Sequence, residues 1–348
     1  MKFGVKLPNS GPFATPEDLT ALARECDRLS YDSLWVTDHT HWTADLAKYH
    51  FPTGALEAWR DPMEPNYYEP LVTLSYLAGI TRQITLGTSI VVLPTHNPVI
   101  LAKQAACLDR LAGGRFILGV GLGGRGYAPA ELGAVGLSHL LGKRGRVADE
   151  WIDVIRCIWG QPMCSYAGEF IKIEGAEVYP KPLQRPGPPI WIGGWGEAAL
   201  KRAVRHGDGL FQSHALPEGI RQCRRSLDRL AAQSGRDPRD LSIASEHWLS
   251  IATDTATASS RAARTMEGME GHPYSDQQME SERQGILTGY HLFGTPQSIV
   301  EQVNAYGEAG VDHLVLRVIG RDRSELLDSL RLFKEGVMDV LRARSSRP

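Results

Sequence analysis

Asp38-His39-Thr40-His41-Trp42 puts a carboxylate, two imidazoles and an indole into five consecutive residues. An imidazole titrates near neutral pH, so His39, at the end of an apolar run, can give a proton to a reacting group or take one from it. Trp42 is placed to stack near a flat ring or a substrate. The plain alternative is a structural histidine bonded to Asp38 or to the backbone. A metal is not expected: His39 and His41 stand two apart on a loop, without a matched carboxylate and histidine elsewhere. A second stretch runs Gly114-Arg115-Phe116-Ile117-Leu118-Gly119-Val120-Gly121-Leu122-Gly123-Gly124-Arg125-Gly126-Tyr127. Its glycines allow positive φ and close approach of a flat or anionic ligand. The dinucleotide fingerprint also needs a helix at once and an acidic residue about 20 positions on, and neither follows here. A third stretch, Gly193-Gly194-Trp195-Gly196, precedes a helix and can offer backbone N–H groups to a phosphate. His214, His247 and Arg317 close other apolar runs and are candidates to line a substrate pocket, with Tyr127 and Glu131 at its edge. Arg144 and Arg146 read as solvated.

The elements that must position these residues alternate. Short apolar strands are expected near 3–7, 33–37, 84–90, 116–120, 189–192, 209–212, 241–251 and 313–318. Helices are expected after each, several opened by a cap residue and proline, as at Thr15-Pro16, Asn97-Pro98 and Thr295-Pro296. Residues 164–179 read as a hairpin with Ala167-Gly168-Glu169 at its turn. The run through Pro129, Gly133 and Gly136 reads as loop. Strands apolar throughout suit a parallel sheet covered on both faces. Eight βα units in 348 residues fit a closed (β/α)8 TIM barrel, α/β in class, with insertions after strands 2, 4 and 7. We read one domain over 1–348, with excursions at about 42–69, 160–188 and 254–290. The aromatic segment 49–68 could act as a lid. The candidate residues all fall at carboxyl ends of strands, where such barrels keep their active sites; chance placement would scatter them.

Composition narrows the classes. A net charge of −2 without blocks of like charge argues against nucleic acid, and no apolar run is long enough to span a membrane. The opening residues, Met1 to Pro8, are expected to form a first strand rather than a signal peptide. Five cysteines with no C-x-x-C are expected to be reduced buried thiols in a cytoplasmic protein.

Several motifs, in this order and spacing, resemble the luciferase-like monooxygenase superfamily of flavin- and deazaflavin-dependent barrels. They are Ser33-Leu34-Trp35-Val36-Thr37-Asp38-His39, Leu86-Gly87-Thr88-Ser89, Asn97-Pro98 with Gly114 to Gly121, and the helix over 144–159. Ile190-Trp191-Ile192-Gly193-Gly194 with Asp208-Gly209, and Phe293-Gly294-Thr295-Pro296 leading to Ala309-Gly310-Val311-Asp312-His313, complete the set. The resemblance spans essentially the whole chain. It implies a non-prolyl cis peptide at Ser89-Ile90 behind a flavin-type ring. It implies the loop with Gly121, Gly123 and Tyr127 beside the cofactor, and Gly193, Gly194, Trp195 and Gly196 at its phosphate. It implies catalysis by His39 and Trp42, with His39 also touching the cofactor.

The cofactor implied is coenzyme F420, which carries hydride only; the alternative is FMN, whose reduced form reacts with oxygen and needs a separate flavin reductase. The substrate is a small organic molecule. Homodimers are common in the family. The sugar-phosphate dehydrogenases of the family carry a glutamate in the loop after strand four and a lysine after strand six. Here Gly124-Arg125 stands near the first position, with Glu131 only later, and Phe211-Gln212-Ser213-His214-Ala215 at the second. A sugar phosphate is therefore not the expected substrate. A non-catalytic flavin-binding barrel is the third reading, against which His39, the glycine loop and Gly193-Gly194 all speak.

Overall fold

The computed structural model describes residues 1–11, 13–40, 67–124, 128–267 and 291–345. Eight parallel strands close into a barrel: β1 (Lys2–Lys6), β2 (Ser33–Val36), β3 (Thr85–Thr88), β5 (Phe116–Gly121), β8 (Ile190–Gly193), β9 (Gly209–Ser213), β10 (Ser242–Ile251) and β12 (His313–Val318). Each pairs with its neighbour in that order, and β12 returns to β1. Two short strands extend the rim: β4 (Val91–Val92) against β5, and β11 (Leu292–Gly294) against the end of β10. A separate antiparallel hairpin, β6 (Cys164–Ala167) and β7 (Lys172–Ala176), stands before β8, where the sequence places one.

The described helices are α1 (Pro16–Arg28), α2 (Pro70–Ile80), α3 (Pro98–Leu111), α4 (Ala128–Ala134), α5 (Arg144–Gly160), α6 (Glu197–His206), α7 (Pro217–Gln233), α8 (Thr255–Glu267), α9 (Pro296–Ala309) and α10 (Arg323–Phe333). Helix α10 runs on through a π-turn (Lys334–Met338) into a last helical segment (Asp339–Ser345). Among the described residues no helix is long and apolar enough to cross a membrane. Helix α4 corrects the reading of that stretch as loop: Pro129 sits in the first turn, where its missing N–H costs nothing.

Capping follows the sequence signals. The Thr15 side chain accepts the Asp18 N–H at 3.1 Å, and the Asn97 side chain accepts from Val99 and Ile100. Asn97→Ala should cost about 1 kcal/mol, read as a lower urea midpoint at unchanged slope.

Strand periodicity divides the core in two. Outward residues such as Leu34, Val36 and Leu316 pack under the helices. Inward residues Trp35, Trp191, Phe211, Ala244 and Val315 fill the barrel. The Trp35 and Trp191 rings stack at 5.3 Å. Trp35 fits only because two neighbouring strands present glycine: a Cβ on Gly4 would lie 2.7 Å from its Nε1, and one on Gly87 would run into its ring. The indole N–H donates to Ser33 Oγ at 2.6 Å, and that hydroxyl meets His313 Nε2 at 2.6 Å, so this polar thread through the apolar interior is paired.

The cysteines depart from expectation. Cys157 of α5 and Cys164 of β6 form a disulfide, with Cα atoms 5.6 Å apart, because the hairpin folds back on the helix that precedes it. A separation of seven residues gave no motif to read. Cys26, Cys107 and Cys223 are free thiols.

Candidate active site

A cavity of about 520 Å³ opens at the carboxyl ends of the barrel strands, within the usual range for small-molecule sites. Its two walls have different chemistry. The wall from β3, β5 and β8 is glycine-rich and smooth. The peptide Ser89-Ile90, just past β3, is cis, at the bond the family resemblance implies. The Ile90 side chain lies along the next two strands: a Cβ on Gly121 would stand 2.5 Å from its Cδ1, and one on Gly193 2.9 Å from its Cγ2. Ser89, Ile90, Gly121, Gly123, Gly193, Gly194 and Trp195 all line the cavity. Gly196 sits just behind, as the cap residue of α6, its carbonyl accepting the Ala199 N–H at 2.8 Å. The first-turn amides of α6 therefore begin at the cavity rim, where an anion is favoured. Arg144 is not simply solvated: its guanidinium donates to the carbonyls of Leu122 and Gly123, both at 3.2 Å, and braces the glycine loop. Arg146 pairs instead with Glu169 on the surface.

The opposite wall comes from β10, β12 and β1, and it is charged. Inward positions on these strands bring Lys6, Glu246, Trp248 and Arg317 to it, the last two as register partners. Lys6 Nζ donates to both Glu246 oxygens at 2.9 and 3.0 Å. The Arg317 guanidinium lies over the Trp248 ring, 3.9 Å from its centroid. His214 reaches the same wall in a left-handed backbone conformation, φ 57°, its ring edge-on to His291 at 5.0 Å. Burial, then the charges of His247, Arg317 and Lys6, push its pKa down to about 3, so it lines the cavity as a neutral ring.

Between the walls stands His39. Its Nδ1 meets Glu131 Oε1 at 2.7 Å, and the side chains are 5% and 0% exposed. Tyr67 packs edge-on against the ring at 5.5 Å. Asp38 is not the partner of His39. Its carboxylate accepts the Val92 N–H at 2.9 Å and meets His96 Nε2 at 2.8 Å. Burial opposes a charged His96, but the hydrogen bond and charge of Asp38 outweigh it and raise the pKa. Asn9 ties the first loop to the site: its amide donates to the carbonyls of Thr37 and Tyr68, both at 2.8 Å.

The structure thus gathers His39, Ser89, Ile90, Gly121, Gly123, Gly193, Gly194, Trp195, His214 and Arg317 around one cavity. His247 is not among its lining residues, which corrects its assignment to the substrate pocket. On β10 it alternates with Glu246 and Trp248, so it points out of the barrel, against Ser245 Oγ at 2.7 Å and the Tyr306 ring. Trp42, His41 and Tyr127 lie outside the described residues. Sequence reading missed Lys6, Glu246 and Trp248, although alternation along 2–6 and 242–251 carried the signal. Glu131 was placed only at the pocket's edge, because 92 residues separate it from His39. Among the described residues no three His, Cys, Asp or Glu side chains group as metal ligands.

The closed (β/α)8 barrel thus carries a glycine-rich cavity wall, a cis peptide after its third barrel strand and a buried His–Glu pair at its mouth. The chain belongs to the luciferase-like monooxygenase family, whose sequence profile matches residues 1–313. A relative named F420-dependent glucose-6-phosphate dehydrogenase, from Kineococcus radiotolerans, is 27% identical over 98% of this chain and 97% of its own. Among solved structures, the monooxygenase RslO1 from Streptomyces bottropensis superposes with a TM-score of 0.79 at 21% identity, over 98% of this chain and all of that one. An F420-dependent secondary alcohol dehydrogenase, solved with an F420-acetone adduct, superposes with a TM-score of 0.75 at 20% identity, over 97% of this chain and 98% of that one.

Proposed function

We propose that this chain is an F420-dependent oxidoreductase that moves a hydride between the deazaflavin coenzyme and a small organic substrate. The observation that carries this reading is the placement of His39. It is held by a buried carboxylate, beside the glycine-rich wall of the cavity.

The residues present fit the coenzyme. Gly121 and Gly193 let the Ile90 side chain lie flat across β5 and β8, an apolar face on which a ring would rest, and the first-turn amides of α6 would receive a phosphate. Bound there, F420 supplies a carbon centre that accepts or donates hydride. The chain's own residues do the rest. Glu131 holds the His39 ring through Nδ1, and the imidazole takes the proton when the substrate is oxidised and returns it on reduction. Trp195 covers the outer rim, and Lys6–Glu246 and Arg317 close the far side against bulk water. Full-length similarity to a relative named as F420-dependent supports the same coenzyme.

Anaerobic titration with reduced F420 and, separately, reduced FMN tests the choice. Quenching with a micromolar Kd for F420 and little affinity for FMN is the expected result. Tight binding of FMN alone would replace this reading with an FMN monooxygenase served by a flavin reductase.

A further inference from the structure

We propose that the β10–β12–β1 wall recognises the carboxylate of a monoanionic organic acid, with Arg317 as its docking group and Trp248 as the platform beneath it. This specifies the substrate class of the oxidoreductase reading and rests on it for the chemistry, though not for the binding.

The argument is one of charge. Lys6 and Glu246 neutralise each other through two hydrogen bonds, and their side chains are 12% and 3% exposed. Arg317 is the next inward position on β12 after Val315, the register partner of Glu246, and it stands level with Lys6 on β1. Among the described residues it makes no ion pair and no hydrogen bond; its close polar contact is the face of Trp248. A cation taken out of water needs a countercharge, and a π-face supplies only part of one. The cavity is the open side of this guanidinium. Glu246 also favours the charged Arg317 through space, so among the described residues this wall sets two cations against one carboxylate, and the excess positive charge faces the cavity.

The number of charges selects the ligand. A guanidinium fork matches a carboxylate in two parallel hydrogen bonds. A phosphate monoester near neutral pH carries closer to two charges and would call for a second cation. Lys6 is already committed to Glu246, and His214 is kept neutral by its burial. Residues 211–215, Phe211-Gln212-Ser213-His214-Ala215, add no lysine. The pocket thus favours a carboxylate over the sugar phosphate in the name of the Kineococcus relative.

The wall's position separates this group from the coenzyme. In the barrel order, β12 lies across the mouth from β5, so the carboxylate and the ring occupy opposite sides, with His39 of the β2 loop between them.

The test compares isosteric pairs. Isobutyrate with isobutyramide, benzoate with benzamide, and glucose 6-phosphate are titrated calorimetrically into the protein, both free and saturated with whichever of F420 or FMN it binds. At least one acid is expected to bind tenfold or more tighter than its amide and tighter than glucose 6-phosphate. Arg317→Gln should abolish that ratio, Arg317→Lys should keep part of it, and coenzyme Kd should stay within twofold in both. Equal binding of acids and amides overturns the proposal. So does an Arg317→Gln protein whose coenzyme Kd rises more than tenfold while the acid-to-amide ratio is unchanged, for Arg317 would then serve the coenzyme. Should Arg317→Gln fail to fold, the wild-type ratio and Arg317→Lys decide. Because the free protein is titrated as well, a wrong choice of coenzyme leaves the acid-to-amide ratio readable.

Discussion

A His39→Asn variant should hold its coenzyme with near wild-type affinity and lose roughly 10²- to 10⁴-fold in kcat, the usual worth of one positioned acid or base. Asparagine is the informative replacement. Its amide can still donate to Glu131, whose carboxylate is 0% exposed and would otherwise be left buried without that donor. The loss then reports the missing proton carrier and not a collapsed site. Glu131→Leu tests the other half of the pair. It removes the acceptor that sets the imidazole's tautomer and angle, and a loss of roughly 10- to 100-fold in kcat with little change in KM is expected. Glu131→Gln keeps an acceptor and should fall between leucine and wild type. The wild-type pH profile of kcat should carry an inflection that the asparagine variant lacks. An asparagine variant with wild-type turnover and an unchanged profile would remove His39 from the chemistry.

Stability should fall steeply with acid, beginning well above the carboxylate range. Burial holds the pKa of His313 at about 3, helped by the charges of Lys2 and the amino terminus. Burial likewise holds His291 at about 2 and His214 at about 3. In the unfolded chain each returns to about 6.5. Above that value the rings are neutral in both states and cost nothing. As pH drops through 6.5 the unfolded chain binds protons that the fold refuses, so stability is lost continuously until the folded values are reached. His214 faces the cavity and counts for less, which leaves a difference of two to three protons, roughly 3–4 kcal/mol per pH unit near pH 5.

His96 has the opposite sign. Its raised pKa contributes stability that is fully present below about 6.5 and is lost as pH rises through its folded value. Maximum stability is therefore expected close to neutrality. Urea unfolding between pH 7 and 4.5 measures the slope, and His313→Asn should lower it by about one proton. A flat profile over that window would contradict the buried-neutral assignment.

Barrel and helices were legible because local signals agree with the global fold. Apolar runs, caps such as Asn97-Pro98 and their alternation leave few topologies open. The cis peptide at Ser89-Ile90 was legible only through family resemblance, since nothing in a serine or an isoleucine announces it, whereas the glycine stretches stand out in the sequence itself. What stayed hidden was partnership across sequence distance. His39 finds Glu131, and Lys6 finds Glu246 from 240 residues away. Asp38, adjacent to His39 in the chain, turns to His96 instead. His247 lies off the cavity for a local reason: the two-residue period of β10 that sends Glu246 and Trp248 inward turns it outward.

The packing of Trp35 between Gly4 and Gly87 also sets the order in which this barrel can change over its history. While the indole is present, even one methyl on either glycine meets it. While the glycines are present, a smaller residue at position 35 leaves a hole in the middle of the barrel. Drift must therefore pass first through loss of the large ring, at the price of a cavity, and only afterwards through gain of a side chain on β3; on β1, Ser33 would still crowd a side chain at position 4. The reverse order is closed. Related barrels that lack a bulky residue at this point on the second strand should be the ones that carry alanine or larger on the third.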